Sequence, residues 1–299
     1  MVIQKIDDIS FPMKEAADFS FLSSYGCVFC VFSQNDSGNI SFGTDNGKTK
    51  YFIKVAGART SQSCTGTKEA VNTLKAAIPI YTDLVHPCLI QLLEYFEYGN
   101  LYILVFKWVD GDCLFDHWNF EKYAQKHITP PRNRFEALPI GKKLDAFQRI
   151  FDFLLFVESK GYVAVDFYDG SIMYDFERDV VTICDIDLFR KIPTVNDIGK
   201  DFWGTKRMKA PEEYIFGADI DTVTNVFTLG ALLFHFFGRY TDAEINEMYK
   251  AQTFIPCRYE TWELNESLYK IALKAVTPAR SGRFDSIKAF YEAWNTILR

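Results

Sequence analysis

The dominant period of this chain's hydrophobic pattern changes at Asp110-Gly111, and that change constrains the fold more than any other feature. Before it, short apolar runs are punctuated by turn signals. Cys27 to Phe32, Asn39 to Phe42 and Lys50 to Val55 read as β-runs separated by NDSGN and TDNGK. Leu89 to Phe96 and Leu101 to Val109 read as two more, around a Tyr98-Gly99-Asn100 turn. Only Thr67 to Tyr81 differs, with Ala70, Val71, Leu74, Ala77 and Ile78 on one helical face. After the change, Leu144, Phe147, Phe151, Leu154 and Leu155 form a helical stripe within 142–160. Further helices are predicted over 222–237, 242–251, 267–275 and 286–298, with a strand-like interruption over 172–188. The stretch 126–141, with Pro130-Pro131 and Pro139, reads as a loop. The expected fold class is α+β: a small antiparallel-sheet lobe with one helix (1–108), then a larger, mainly helical lobe (109–299).

Composition bounds the partners. Of 299 residues, 48% are hydrophobic and 28 are Phe, enough to fill a sizeable core and too apolar for a disordered chain. Lys plus Arg number 33 against 39 Asp plus Glu, and a net charge of −6 argues against a generally basic nucleic-acid binder. Lys5, Asp7, Asp8, Lys14 and Glu15 interrupt the N-terminal stretch, so it does not read as a secretory signal. The most apolar stretch, 227–238, is too short to cross a bilayer, contains His235, and reads as a buried helix. Seven cysteines, an odd number scattered over the chain, read as reduced thiols in a cytoplasmic protein. Cys27 and Cys30 form a C-x-x-C inside a strand-like run, where residues three apart should face opposite ways, and no second pair completes a zinc site.

Seven segments then fall into a known order. They are Tyr51-Phe52-Ile53-Lys54, His86-Pro87, LYILVFKWVDGDCLFDHW from 101, VDFYDGS at 165–171, CDIDLF at 184–189, GTKRMKAPEEY at 204–214 and NVFTLG at 225–230. Together they resemble the protein-kinase family, most closely bacterial kinases of the eukaryotic serine/threonine type, from about residue 19 to the C-terminus. The resemblance implies a bilobal protein-kinase-like fold and transfer of the γ-phosphoryl group of ATP, with Mg2+ or Mn2+, to a protein hydroxyl. Such chemistry needs phosphate charge neutralised, a metal held and an acceptor hydroxyl oriented.

The resemblance assigns those tasks residue by residue. Lys54 is the strand lysine that reaches the phosphates, with Glu69 as its candidate helix partner. Tyr25-Gly26-Cys27-Val28-Phe29 resembles the end of the phosphate-covering loop, which places Gly26 and Val28 at the nucleotide, while Phe21 and Ser23 stand where that loop has glycines. Phe106, Lys107, Trp108 and Val109 match the linker whose backbone binds the adenine edge. Asp166 orients the acceptor and takes its proton. Ser171 stands where the family has a metal-binding Asn, with Asp169 nearby to compensate, and Asp185 is the metal carboxylate with Asp187 as a second contact. Thr205 supports the catalytic aspartate, Glu212 pairs with Arg283, and Asn225 stands where the family has Asp and hydrogen-bonds the catalytic loop. Val165 replaces the arginine that reads a phosphorylated activation segment, which implies control by other means.

Three function classes follow. The first is a serine/threonine protein kinase acting on ATP and a protein substrate. The second is a pseudokinase, a binding or scaffold module, which the missing glycines, Ala164-Val165 and Ser171 favour. The third is a small-molecule phosphotransferase of the aminoglycoside type, against which the GT…APE segment speaks, since it shapes a peptide-docking surface. No nucleic-acid or membrane partner is expected, and the oligomeric state is open.

Overall fold

The fold comes from a computed structural model that describes residues 1–34, 38–63, 65–116 and 119–298. Residues 35–37 of the NDSGN turn, Cys64, and His117 and Trp118 of the 101–118 motif lie outside the described residues. The chain is α+β, with a sheet-rich N-terminal region and a helical C-terminal region. It divides into two compact units, one of Met1–Val85 with Leu89–Asp110, the other of His86–Cys88 with Gly111–Arg299.

The first unit opens with an antiparallel hairpin, β1 (Val2–Ile6) and β2 (Ile9–Met13), which the charges scattered over residues 5–15 obscure in the sequence. A five-stranded antiparallel sheet follows: β3 (Cys27–Phe32), β4 (Asn39–Asp45), β5 (Lys50–Ala56), then, beyond α1 (Thr67–Asp83), β6 (Leu92–Tyr98) and β7 (Leu101–Lys107). Its strand order is β3-β4-β5-β7-β6. Strand alternation sorts the sheet's faces. Ile40, Phe42, Ile53, Val55, Ile103 and Val105 point to one side, where Phe11, Met13, Phe19 and Leu22 close a core over them. Phe52 and Lys54 point to the other.

A β-bulge in β3 changes one expectation. The register shifts between Val28 and Cys30, so Cys27 faces the level of Asp45 and Cys30 that of Gly43. Asp45 and Gly43 share a face of β4, and the extra residue therefore brings Cys27 and Cys30 to the same side of the sheet. Both are free thiols, as are the four other described cysteines.

The second unit contains β8 (Asp112–Cys113), α2 (Phe120–Lys126), α3 (Pro131–Glu136), α4 (Ile140–Ser159) and β9 (Tyr162–Val163). The hairpin β10 (Ile172–Asp175) and β11 (Val180–Ile183) comes next, then the short strands β12 (Arg190–Lys191), β13 (Thr194–Val195) and β14 (Asp219–Ile220). Helices α5 (Thr222–Phe237), α6 (Asp242–Ala251), α7 (Glu266–Ala275) and α8 (Ile287–Leu298) complete it. Helix α3 corrects the loop expected over 126–141: Pro131 supplies the preset φ of a first helical position rather than breaking the chain. Helix α5 is apolar all round and buried from Thr224 to Phe237, the signature of a central core helix. Asp221 caps it by accepting from the Val223 N–H at 2.9 Å. Among the described residues no helix is long and apolar enough to cross a membrane.

Candidate functional site

Asp166 and Asp185 share an unusual backbone. Six described non-glycine residues have positive φ, and four of them have a local reason. Asp7 turns the β1–β2 hairpin and Asp179 the β10–β11 hairpin, while His127 and Gln252 are the C-caps of α2 and α6. Asp166 and Asp185, each at φ +59°, neither close a hairpin nor cap a helix. A left-handed residue outside such settings is sparsely populated, and structures retain it where neighbouring contacts fix it.

Those contacts can be followed. Asn225 in α5 clamps the backbone two residues before Asp166: its side chain accepts from the Ala164 N–H at 2.7 Å and donates to the Ala164 carbonyl at 2.9 Å. The expected role of Asn225 is thus present in full, since an amide both donates and accepts where a carboxylate only accepts. Val165 is buried with Val163, Phe202 and Ile220. Beyond Asp166, the 3-10 turn Asp169–Ser171 folds back so that Ser171 Oγ donates to the Asp166 carbonyl at 3.3 Å. A Cβ on Gly170 would come within 2.3 Å of the Tyr168 ring, so a larger residue there would have to displace that ring. The Ser171 carbonyl accepts from the Cys184 N–H at 2.9 Å, which ties this turn to the residue preceding Asp185.

Tyr168 reports on the carboxylates around it. Burial pushes its phenol up, and the charges of Asp166, Asp185 and Asp169 push it further. The Cys113 thiol, donating to the Gly170 carbonyl at 3.3 Å, is likewise raised by burial, to about 12, with Asp169, Asp116 and Asp185 adding to the shift. Asp166 and Asp185 therefore act on one common neighbour, Tyr168. Asp185 is exposed, whereas Asp166 and Asp187 are half-buried.

For a metal ion the fit is selective. Mg2+ is held by one or two carboxylates with water and phosphate oxygens completing its shell. Exposed Asp185 and neighbouring Asp187 suit that demand. Ser171 is buried with its hydroxyl proton turned to Asp166, which leaves only lone pairs for a cation. Asp169, expected to compensate for it, is instead committed to a buried ion pair with Arg207. Among the described residues no group of three or more His, Cys, Asp or Glu side chains gathers as a ready-made metal site.

The segment 204–214 supplies residues that the sequence reading passed over. The Thr205 carbonyl accepts from the N–H groups of Met208 and Lys209, at 2.9 and 3.2 Å, winding a turn that turns cations inward. Lys209 is buried, and its Nζ donates to the Phe202 carbonyl at 2.5 Å. Desolvation pulls its ammonium below the usual lysine range, opposed by Glu213, Asp166 and Asp201. Lys206, Arg207 and Lys209 sit together in a chain of net negative charge, a local excess that the sequence displays in plain view. The expected Glu212–Arg283 bridge is present as two hydrogen bonds of 2.7 and 2.9 Å. Burial pushes the Glu212 carboxyl up, but Arg283 more than offsets it and leaves the group below its usual range.

In the first unit the expected nucleotide residues part company. Lys54 is buried in β5, opposite Ser41 and Leu104. Glu69 stands exposed in the first turn of α1, off the face formed by Ala70, Leu74, Ala77 and Tyr81, where it complements the helix dipole. Gly26 and Val28 have packing roles. Gly26, at φ +103°, ends the 3-10 turn Ser20–Tyr25, and a Cβ there would lie 2.2 Å from the Asp45 carbonyl oxygen. Val28 is buried in the core beside Phe11 and Phe42. Phe21 is buried in the same core and Ser23 donates to the Ser20 carbonyl, so neither replaces a loop glycine. The run 21–29 enters an edge strand rather than joining two strands, and it does not have the form of a phosphate-covering hairpin. Phe106 is core, with the rings of Phe52 and Tyr81 at 6.1 and 5.0 Å. Lys107 is exposed and its N–H is given to the Gln91 carbonyl at 2.9 Å, while the Trp108 N–H goes to the Lys50 carbonyl at 3.1 Å. Of the expected adenine-edge donors in 107–109, Val109 alone is without such a sheet bond among those described.

No family model matches the chain, and no curated protein matches it.

Proposed function

We propose that this chain is an ATP- and divalent-metal-dependent phosphotransferase of the protein-kinase type, transferring the γ-phosphoryl group to a protein hydroxyl. The observation that carries the reading is the pair of left-handed aspartates, Asp166 and Asp185, which no hairpin or helix end requires. Backbone strain of this kind gathers at reactive sites, where geometry matters more than stability. In this reading Asp185 would hold the metal, with Asp187 beside it, and the chemistry the ion would supply when bound is neutralisation of phosphate charge. Asp166 accepts the proton of the attacking hydroxyl. Lys54 neutralises the phosphates from the sheet. The Asn225 clamp and the Ser171 bond hold the Asp166 backbone in place.

The binding-module reading is favoured by one observation, the use of the Lys107 and Trp108 N–H groups inside the sheet. A nucleotide base then finds fewer backbone donors, which argues for weak binding of ATP. Turnover separates the two. Purified chain with γ-labelled ATP and Mg2+ or Mn2+ should label itself or a generic basic protein and leave an aminoglycoside unlabelled. Labelling of the aminoglycoside alone would move the acceptor to a small molecule. No labelling of any acceptor, with ATP still bound, would support the module.

A further inference from the structure

We propose that Arg207 is a built-in latch that holds the 204–213 segment in its working conformation by pairing with Asp169, so that this segment needs no phosphorylation to be ordered. The proposal rests on the phosphotransferase reading for its kinetic consequence, though not for its structural one. Arg207 is 2% exposed and Asp169 3% exposed, and Arg207 Nη2 donates to the Asp169 carboxylate. Its guanidinium lies over the Phe115 ring, 4.1 Å from the centroid, and Nη1 stands 3.3 Å from His235 Nε2. Burial and the neighbouring arginines hold His235 neutral, so this nitrogen accepts from Arg207. Two charges taken out of water hold together only when paired, and either one left alone is strongly disfavoured.

The pair links two segments far apart in sequence. Asp169 begins the 3-10 turn that ends in Ser171, whose hydroxyl bonds the Asp166 carbonyl. Arg207 lies inside the turn wound on the Thr205 carbonyl. A chain of contacts therefore runs from the segment, through Asp169 and Ser171, to the backbone of the proposed catalytic residue. Kinases controlled by phosphorylation of this segment place an arginine before the catalytic Asp to meet the phosphate. Here that position is Val165, buried in an apolar cluster with Phe202, two residues before the segment. The polarity is inverted, with the cation on the segment and the anion on the loop, and both charges are encoded rather than added. Arg207 is a positioning residue, and its effect falls on the placement of Asp166.

The test uses Arg207→Met, Asp169→Leu and the double variant, each compared with wild type before and after phosphatase treatment. Single variants leave a buried charge alone and should melt at lower temperature. The double variant replaces the pair by apolar groups and should regain much of the lost Tm. The latch predicts that the double variant still loses kcat by roughly 10²-fold, a misplacement effect, with KM for ATP changed less than about twofold. Backbone amides of 199–209 should exchange faster in it than in wild type, and phosphatase should leave wild-type turnover unchanged. Recovery of wild-type kcat and exchange in the double variant would overturn the latch and reduce the pair to packing. Loss of wild-type activity on phosphatase treatment would overturn it too. If wild type transfers no phosphate at all, the phosphotransferase reading fails, and exchange over 199–209 still decides the latch: faster in the double variant supports it, unchanged contradicts it.

Discussion

Burial pushes the Glu213 carboxyl up to about 8, against the Ala210 N–H and the Lys209 charge that pull it down. Folded protein therefore keeps this proton at pH values where the unfolded chain, with an ordinary glutamate, has lost it. A group whose folded value is raised contributes its stability below the unfolded value and loses it as pH rises through the folded one. Stability should thus fall between about pH 5 and pH 8, by an amount on the order of a few kcal/mol. Glu213→Gln should flatten that slope in denaturant titrations at pH 5, 6.5 and 8; an unchanged slope would show that Glu213 is already ionised. Residues differ in how far the sequence exposes them. The Glu212–Arg283 bridge is legible because Glu212 sits in an ordered short motif that calls for an arginine partner. Gly26 and Val28 mislead, because a glycine forced by close approach to Asp45 spells the same letters as a glycine that admits a phosphate. Arg207 and Asp169 are 38 residues apart, and nothing local announces that two such charges will be buried together.

At the level of elements, one carboxylate fastens three helices. Glu158, near the end of α4, accepts from the Thr222 hydroxyl at the start of α5 and from the N–H groups of Ile287 and Lys288 at the start of α8, the latter two at 3.0 and 3.2 Å. A carboxylate satisfies two otherwise unpaired helix donors there and opposes the positive end of the dipole. Glu158→Ala should cost about 1–2 kcal/mol. Chemical denaturation followed by circular dichroism reads this as a lower midpoint with an unchanged slope; an unshifted midpoint would mean that water replaces the carboxylate without loss. Helices with a strong apolar stripe, such as α4 and α8, are legible because burial of one face imposes the 3.6-residue period. The β1–β2 hairpin is not, since its strands mix charges with apolar residues and β2 contains Pro12. The bulge in β3 is equally hidden. An inserted residue leaves the alternation of letters intact while it changes which face the following side chains take.

On the scale of the whole molecule, the α+β character is legible because strand and helix periods differ and the chain uses them in sequence, first one and then the other. The return of His86–Cys88 to the helical unit is not, because it depends on contacts at long range: His86 packs on the rings of Phe153 and Phe156, and the Cys88 carbonyl accepts from the Ile183 N–H at 2.6 Å. Within the helical unit, the reading gives Asp166 and Asp185 separate tasks. Asp185→Asn should lose metal-dependent ATP binding and activity together. Asp166→Asn should keep ATP affinity while kcat falls by roughly 10²–10⁴, the range for loss of a general base. The decisive measurement is calorimetry with Mg-ATP on wild type and both variants, paired with phosphoryl transfer from labelled ATP on the same preparations. The account predicts binding without turnover for Asp166→Asn and neither for Asp185→Asn; transfer by Asp166→Asn at the wild-type rate would contradict it.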